Sequence, residues 1–461
     1  MDSLNQVVLP EAKSRFVLAD GLRERVLFRG TLGYEAARRA TMWNARIPNR
    51  YPEVIVQARD VYDVVTAVKL AKRERLRIGV RSGGHSWSGN HVRDGGMLLD
   101  VSQIAALTID KAAQLATAGP GCAGHDLSAH LGKQGLFFPT GHCKGVCLGG
   151  YLLQGGFGWN SRQLGPACMS VIGLDLVTAD GDMLHASPSE NSDLYWAARG
   201  AGPGFFCVVT RFHLRVFTKP RAMGFALQTH PVERLEEVFR WAYEVGPQVP
   251  TSVELQLVLS RQTSGVKGPG IALFAPVFAD SFGDALRALR FMNQSPLRRK
   301  SAVNIPFLPA PLSLLCRGVM EHYPQRYRYG VDNMWTKASI DALLPGLHTI
   351  AATLPPAPSH MLWLNWAPPK QRPSMAFSLE DQTYIALYGS WKDARDDHRY
   401  AGWAQSRMRE LSHLASGCQL ADENLGQRPA HFVLPENLSR LDEIRSQRDP
   451  EQRFHTYMGR P

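Results

Sequence analysis

The sequence contains no long apolar run and no recognisable export signal. Nowhere in its 461 residues do about 18 uncharged apolar residues follow one another, the length that a membrane-spanning helix requires. The first residues, MDSLNQVVLPEAKSRF, do not show a basic segment followed by an apolar one. We therefore expect a cytoplasmic chain with no membrane partner. With 44% hydrophobic and 20% charged residues it can bury a large core, and it is long enough for two domains.

Cysteine and metal-ligand patterns are also sparse. The seven cysteines are an odd number in a long chain, so we expect reduced thiols rather than a disulfide framework. His142, Cys143 and Cys147 lie close together, but no C-x-x-C pair and no H-E-x-x-H motif accompany them. The sequence therefore predicts no metal site.

The excess of positive charge is spread along the chain. The formal net charge is +11, yet the densest basic cluster is only the segment 298–300. Nucleic-acid binding requires basic residues concentrated on one surface, so we predict no nucleic-acid partner. A solvated basic surface, or attraction to anionic small molecules, accounts better for the charge.

The segment RSGGHSW, residues 81–87, is the first that indicates a ligand. It follows the β-rich run 76–80, so a buried strand turns at once through two glycines. Glycines leave no side chain between the backbone and a ligand, and several N–H groups can then converge on an anion such as a pyrophosphate. His85 stands at the mouth of this predicted loop.

A second glycine-rich passage spans residues 141–165. Its glycines are too frequent for a plain helix or strand, and they indicate backbone that passes close to a large or flat group. The part GGYLLQGGFG does not place G-x-G-x-x-G between a strand and a helix, so a Rossmann NAD site is not predicted. Two such loops favour an extended ligand with a phosphate part and a flat part.

The order of predicted elements favours an α+β fold. Strand, helix, strand, glycine loop and further strands follow one another in the first part, unlike a doubly wound nucleotide fold. From about residue 217 the glycine loops become rarer and long strand-like runs appear, including 252–260 and 270–278. We predict a first domain at 1–216, a second α+β domain at 217–404, and a C-terminal segment, 405–461, that returns to the first domain.

Four segments together show a family resemblance. They are RSGGHS at 81–86, GHCKGVCLGGYLLQGGFG at 141–158, NSDLYWAARGAGPGFFCVVTRF at 191–212 and ENLSRLDEIRSQRDPEQRF at 436–454. In this order and spacing the chain resembles the berberine-bridge-enzyme-like flavoproteins of the vanillyl-alcohol-oxidase and p-cresol-methylhydroxylase superfamily. The resemblance implies a two-part FAD-binding domain of the p-cresol-methylhydroxylase type and an inserted substrate domain, an antiparallel sheet covered by helices.

The resemblance also implies how FAD is held. His85 matches the histidine bonded to the flavin 8α-methyl group, and Cys143 matches the cysteine bonded to flavin C6, so bicovalent attachment is predicted. Imidazole and thiolate are nucleophiles able to add to an electron-poor flavin. The alternative role of each glycine among the remaining cofactor positions is simply to form a turn. These positions are Arg81, Ser82, Gly83, Gly84, Ser86, Val146, Gly149, Gly150, Gly155, Gly156, Val208, Val209 and Asn437.

The implied activity is that of an FAD-dependent oxidase. Such an enzyme moves a hydride from a carbon that bears a hydroxyl or amine to flavin N5, and dioxygen then takes the electrons to give hydrogen peroxide. Val146 favours an oxidase, because a small residue there tends to accompany oxygen use in the family. The alternatives are a dehydrogenase, a biosynthetic cyclase, or a catalytically silent FAD-binding protein. A monomer and a homodimer are both compatible with the sequence.

The catalytic base is where the chain departs from the family. The usual tyrosine pair, in the form Y-Y-G-x-N, is absent, and the corresponding stretch is PAHFVLPENL. Cys207 also replaces a usual glycine. The replacement bases that we consider are His431, Tyr329, Tyr388, Glu380 and Tyr384.

The substrate is predicted only as a small molecule that is aromatic, sugar-like or anionic. Aromatic residues are frequent in the middle domain, although core packing explains them equally well. Arg326 and Arg328 are weak candidates for binding a carboxylate or phenolate. The aromatic candidates are Trp335, Trp363, Trp366, Tyr327, Tyr329 and Tyr388.

Overall fold

The structure, a computed structural model, describes residues 20–460. Its helices are mostly short and connect or cover three larger sheets. The α-helices, numbered in chain order, are α1 (Tyr34–Ala40), α2 (Val61–Arg73), α3 (Gly124–Lys133), α4 (Leu148–Leu153), α5 (Ser161–Leu164), α6 (Ser192–Ala198), α7 (Leu235–Val245), α8 (Phe282–Ala288), α9 (Arg290–Asn293), α10 (Leu312–Met320), α11 (Ile340–Thr353), α12 (Asp397–Tyr400), α13 (Trp403–Glu410) and α14 (Pro435–Arg448).

The first sheet positions the first glycine loop. Its strands are β1 (Val26–Phe28), β2 (Val54–Gln57), β3 (Ile78–Arg81) and β4 (Met97–Asp100), in the order β1-β2-β4-β3. β4 lies parallel to both β2 and β3. Asp60 caps helix α2 by accepting from the Asp63 N–H, so the predicted strand-to-helix transition is confirmed. The segment 81–87 leaves the carboxyl end of β3.

The second sheet is antiparallel and follows in sequence. Its strands are β5 (Leu107–Asp110), β6 (Leu115–Ala118), β8 (Val171–Val177), β9 (Met183–Ala186) and β10 (Val208–Arg215). They lie in the order β5-β6-β10-β8-β9. A short pair, β7 (Leu136–Phe137) and β11 (Phe217–Thr218), lies beside this sheet.

The third sheet has seven strands. They are β12 (Ala222–Pro231), β13 (Gln256–Ser260), β14 (Gly270–Ala279), β15 (Val303–Pro309), β16 (Arg328–Thr336), β17 (His360–Asn365) and β18 (Thr383–Trp391). They pair antiparallel in the order β15-β12-β14-β13-β17-β18-β16. Helices α7, α11 and α13 cover one face of the sheet with a buried apolar cluster.

Alternation along these strands creates a free face. In β14, Ile271 and Leu273 pack under the helices, whereas Ala272 and Phe274 point to the opposite side and line a cavity. β17 behaves likewise, and it turns Trp363 into the helix-covered core rather than into a ligand pocket, which corrects one of our aromatic candidates. The sheet therefore has one structural face and one face available for a ligand.

The C-terminal segment contacts both parts of the molecule. Gly417 forms an isolated antiparallel bridge with Trp335 of β16, and Phe454 forms a parallel bridge with Ile78 of β3. The α+β fold is thus confirmed, and the domain boundaries 1–216, 217–404 and 405–461 stay a prediction. Within residues 20–460 no helix combines the length and apolarity needed to cross a bilayer. All seven cysteines carry free thiols.

Candidate active site

A cavity of about 590 Å³ lies between the glycine loops and the free face of the seven-stranded sheet. This volume is typical of sites that enclose a small molecule. Its walls come from the loops at 78–91 and 141–157, the strands of the third sheet, and the C-terminal segment at 419–422, with further residues from 202–209, 318–323 and 454–455. Residues far apart in sequence therefore meet around one space.

Glycine is required where the two loops pass other backbone. Gly84 has a φ of 70°, and a Cβ there would lie 2.1 Å from the Thr41 carbonyl oxygen. A Cβ on Gly149 would lie 2.7 Å from Ser82 Oγ, the atom to which the Gly150 N–H donates at 3.3 Å. The two glycine loops thus pack directly on each other, and their backbone borders the cavity.

His85 is held by stacking rather than by hydrogen bonds. Its ring lies 5.0 Å from that of Trp43 at an interplanar angle of 26°. In the part of the chain that the structure describes, its ring nitrogens have no hydrogen-bond partner. Burial, with a smaller effect of the Arg81 charge, lowers the pKa of His85 to about 4. The imidazole is therefore neutral at pH 7, the form with a free nucleophilic nitrogen.

Cys143 lies on the cavity wall with a free thiol. It packs against the aromatic cluster that includes Trp87 and Tyr388. Burial raises the pKa of this thiol, and the Asp422 charge raises it further. Val146, three residues further along, lines the same cavity.

Asp422 is the residue that sequence reasoning missed. Its side chain lines the cavity and accepts three hydrogen bonds: from Trp87 Nε1 at 2.6 Å, from Tyr384 OH at 2.5 Å and from Tyr388 OH at 2.9 Å. Burial raises the pKa of this carboxyl, and the three donors only partly oppose that effect. A buried carboxylate with a raised pKa, held by donors in a cavity, is typical of a general base.

The loop that carries Asp422 is fixed on strand β16. Asn333 Nδ2 donates to the carbonyl oxygens of Gln419 and Asp422 at 3.0 and 2.8 Å. Asn333 Oδ1 accepts from the Gln419 N–H at 2.7 Å. Next to it, Arg428 donates to both carboxylate oxygens of Asp332, at 2.6 and 2.8 Å. These contacts bring the carboxylate of the C-terminal segment under the third sheet.

A second polar pair lies on the cavity wall near Tyr388. His360 Nδ1 lies 3.0 Å from the Pro358 carbonyl, which can only accept, so Nδ1 carries the proton and Nε2 accepts from Tyr323 OH at 3.2 Å. Burial lowers the pKa of His360 to about 3. The His360 ring also stacks on Tyr388, with centroids 4.8 Å apart. This pair therefore supports the wall with neutral groups.

The cavity wall is aromatic and contains few charges. Trp87 contacts Tyr323 and Tyr388, and Trp335 contacts Tyr384 at 4.9 Å between ring centroids. Among the described lining residues, Arg81 is the one arginine or lysine, and Asp100 binds its guanidinium at 2.9 Å. The carboxyl groups on the wall are those of Asp422 and Glu321.

Most of the residues assigned to the cofactor come together at this cavity. Those that line it are Arg81, Ser82, Gly83, Gly84, His85, Ser86, Cys143, Val146, Gly149, Gly150, Gly156 and Val209, together with Tyr384 and Tyr388 from the base candidates. Cys207, the departure from the family pattern, also lines it.

Three candidate bases lie elsewhere, which corrects the sequence-based choice. The His431 side chain is exposed and outside the cavity. Tyr329 is buried beside Trp87 but donates its hydroxyl to the Pro324 carbonyl at 2.6 Å, away from the lining. Glu380 is buried and occupied by Arg372 and Trp366 Nε1. The polar groups of these three residues are therefore either exposed to solvent or hydrogen-bonded to other parts of the protein.

Three cofactor candidates also fall outside the lining. Asn437 donates to the carbonyls of Met375 and Ala376 at 3.0 and 3.1 Å, so it ties helix α14 to a loop. Val208 lies in the apolar core, and the position where Gly155 would carry a Cβ is next to the Phe377 ring.

The two arginines proposed to bind an anionic substrate also lie outside the cavity lining. Two of the aromatic candidates do as well. Arg328 is bound by Asp397, and neither it nor Arg326 lines the cavity. Tyr327 and Trp366 do not line the cavity either.

The residues that do line the cavity fit an FAD molecule. Backbone free of side chains borders one end of the cavity, where a pyrophosphate needs N–H donors. Among the described residues, the ring nitrogens of His85 and the buried Nε2 atom of His455, which is also on the wall, have no hydrogen-bond partner. Polar atoms left without partners at a cavity indicate that a ligand satisfies them.

Comparison with known proteins gives the same cofactor. Residues 52–187 match the family model of an FAD binding domain. The chain is 34% identical over 438 residues to the FAD-linked oxidoreductase nodO of Hypoxylon pulicicidum. The aligned region covers 91% of this chain and 94% of nodO. The chain belongs to the family of FAD-linked oxidoreductases. The FAD cofactor and the oxidoreductase class that the sequence motifs predicted are thereby confirmed.

Solved structures share the fold of this FAD-linked oxidoreductase. Physcomitrella patens BBE-like 1 matches with a TM-score of 0.82 at 20% identity, over 94% of this chain and 96% of that one. The 6-hydroxy-D-nicotine oxidase of Arthrobacter nicotinovorans matches with a TM-score of 0.80 at 22% identity, over 93% and 96%. Wild-type Phl p 4.0202, a glucose dehydrogenase, matches with a TM-score of 0.81 at 18% identity, over 94% of this chain and 96% of that one. An isoleucine-to-valine variant of Phl p 4 is a glucose oxidase.

Proposed function

We propose that this chain is an FAD-dependent oxidase with Asp422 as its catalytic base. The observation that carries the proposal is the half-buried Asp422 carboxylate, held by three donors in the cavity that His85 and Cys143 also line. A catalytically silent FAD-binding protein would have no need for a desolvated carboxylate at this place. The substrate is a small molecule in which one carbon carries both hydrogen and a hydroxyl or amine.

The protein supplies the proton chemistry of the reaction. Asp422, ionised, takes the proton from the substrate hydroxyl or amine as the C–H bond of the same carbon breaks. Tyr384 and Tyr388 donate to one carboxylate oxygen, Oδ2, and Trp87 donates to the other, so the side chain stays aimed at the cavity. When bound, the flavin takes up the two electrons and the hydrogen that leave the substrate carbon and passes the electrons to dioxygen, giving hydrogen peroxide.

The attachment that we propose uses His85 and Cys143. The neutral imidazole of His85 has no hydrogen-bond partner among the described residues, so it can bond to the flavin without loss of a hydrogen bond while it stacks on Trp43. The Cys143 thiol would lose its proton as the C–S bond forms, because burial disfavours the free thiolate. Each link would replace one hydrogen of the flavin and leave it reduced by two electrons, which dioxygen would then remove. Two links would leave the opposite, aromatic wall free for the substrate.

The charges of the wall favour a neutral or cationic substrate over an anionic one. Among the described lining residues no free guanidinium or ammonium group faces the cavity, since Asp100 engages Arg81. Aromatic faces and the carboxyl groups of Asp422 and Glu321 suit an amine or an uncharged alcohol with an apolar body. We therefore propose that amines and apolar alcohols, rather than carboxylates, are the substrate class.

The covalent links can be tested directly. We expect denatured wild-type protein to retain its yellow colour in the acid pellet, with a flavin mass on the peptides that contain His85 and Cys143. In His85→Ala and in Cys143→Ala the corresponding peptide should lose that mass, and in the double variant the flavin should pass into the supernatant. Cys168→Ala is the matched control, because Cys168 is also buried but does not line the cavity. Flavin that dissociates from the wild type would contradict covalent attachment.

Val146 provides a test of oxygen use. An isoleucine side chain at this position would extend into the cavity wall, so we expect Val146→Ile to slow reoxidation of the reduced enzyme by dioxygen at least about tenfold. Reduction by substrate should change little. The isoleucine-to-valine exchange that accompanies oxidase activity in Phl p 4 supports this direction. Stopped-flow recording of flavin absorbance in aerated buffer measures the rate, and an unchanged rate would assign the control of oxygen access to other residues.

A further inference from the structure

A cluster of two histidines and one aspartate lies on the solvent side of the second sheet. His185 on β9 and His213 on β10 flank Asp175 on β8, so three adjacent strands each contribute one side chain. We call Asp175, His185 and His213 the outer-sheet triad. None of the three lines the cavity described above. The reaction makes no use of them.

The register of the sheet brings the three side chains to one point. His185 is the direct cross-strand neighbour of Asp175, and His213 is the neighbour of Gly173, two positions away on β8. A Cβ on Gly173 would lie 3.1 Å from the His185 ring, so the glycine provides the space that the His185 imidazole occupies. The opposite face of these strands, including Leu174 and Phe212, is packed in the core.

The potential ligand atoms are close enough to share one ion. Asp175 Oδ1 lies 2.8 Å from His185 Nδ1 and 3.1 Å from His213 Nε2, and the three atoms lie within 4.8 Å of one another. In a tetrahedral zinc site with metal–ligand distances of about 2.0–2.2 Å, neighbouring ligand atoms are about 3.3 Å apart. Small side-chain rotations therefore convert the hydrogen-bonded triad into three ligands.

We propose that the outer-sheet triad is a binding site for Zn²⁺ or a similar divalent transition metal. The side chains are 28–41% exposed, so water can complete the coordination. The metal replaces the two N–H donors to Asp175, and the proton of each neutral imidazole moves to the other ring nitrogen. Arg211, 3.5 Å from Asp175 Oδ2, then orients the carboxylate from outside the coordination sphere.

Such a site would join β8, β9 and β10 at the surface of the FAD-binding part. An ion that binds the folded chain and not the unfolded chain raises the melting temperature in proportion to the logarithm of its concentration. We therefore expect Zn²⁺ to stabilise the protein while leaving the substrate cavity unchanged.

The test uses untagged, flavin-containing protein titrated with ZnCl2 by calorimetry, and with CoCl2 by visible absorption. We expect one metal ion per chain, and at least about tenfold weaker binding in His213→Ala and in Asp175→Asn. His398→Ala is the control, since His398 is exposed but outside the triad, and its affinity should equal that of the wild type.

Two outcomes would overturn the proposal. One is the absence of saturable binding at one ion per chain in the wild type. The other is a wild-type affinity in both His213→Ala and Asp175→Asn, which would place the metal elsewhere. Flavin absorbance and metal-free thermal unfolding establish that each variant is folded. Should one variant fail to fold, the other variant and the Co²⁺ spectrum of the wild type still decide between the outcomes.

Discussion

Replacing Asp422 by asparagine is expected to lower kcat by a factor of about 10²–10⁴, the usual contribution of a positioned general base. The amide keeps the size of the side chain, and its one oxygen can still accept from Tyr384 and Tyr388, while the NH2 group takes the place of the oxygen that bound Trp87. The amide cannot take a proton. Substrate binding should be affected less than turnover. Bleaching of the flavin by substrate under anaerobic conditions, followed by stopped flow, measures the step directly.

The pH dependence gives an independent test of the same assignment. Because burial raises the pKa of Asp422, the ionised base is lost as the pH falls through a value above the ordinary aspartate range. The wild-type rate should therefore decline on the acid side, and this decline should be absent in Asp422→Asn. Asp442→Asn, an exposed carboxylate in the same segment that pairs with Arg460, is the matched control. A variant with wild-type turnover and the same acid decline would refute the role of Asp422.

Replacing Asp332 by leucine is expected to destabilise the fold by about 3–5 kcal/mol, because the substitution leaves the Arg428 guanidinium buried without its counter-charge. The side chains of Asp332 and Arg428 are 0% and 8% exposed, and the pair is held by two hydrogen bonds. The free energy of unfolding, from urea denaturation monitored by far-ultraviolet circular dichroism, measures the loss.

A surface pair provides the control for this prediction. Asp193 and Arg448 form a comparable two-bond contact, but their side chains are 29% and 34% exposed. Asp193→Leu should therefore cost no more than about 1 kcal/mol. The double variant Asp332→Leu, Arg428→Met should recover part of the loss, because it removes the unpaired charge. Equal losses in Asp332→Leu and Asp193→Leu would contradict this account.

The FAD-facing half of the site could be predicted because its pattern is local. In the loop 81–87 the glycines, the serines and His85 are neighbours in sequence, so a few residues define both a backbone geometry and a chemical group. The same holds for Cys143 and Val146 in the second loop. The long strand-like runs, such as the one that forms β14, likewise allowed the sheet to be predicted. They did not indicate which of its two faces would meet a ligand.

The proposed base could not be predicted because its position depends on contacts between distant residues. Asn333, far earlier in the sequence, holds Asp422 at the cavity by binding the carbonyl oxygens of Gln419 and of Asp422 itself. Neither residue lies in a recognisable motif. His431 and Asn437 were chosen from the stretch aligned with the missing tyrosine pair, and the fold places that stretch at the surface and against a loop. Sequence distance from a motif was a poor guide to distance in space.

The attachment of the C-terminal segment to both parts of the molecule has a consequence for how the enzyme is made. The glycine loops, His85 and Cys143 leave the ribosome long before Asp422, and Phe454, the partner of Ile78 at the edge of the first sheet, follows later still. A nascent or proteolytically shortened chain that ends before Gly417 would contain both side chains proposed to bond the flavin but not the proposed base. Under these assignments, catalytic competence is acquired only after the segment beyond Gly417 has been made, and turnover would distinguish chains that contain this segment from shortened chains that still carry flavin.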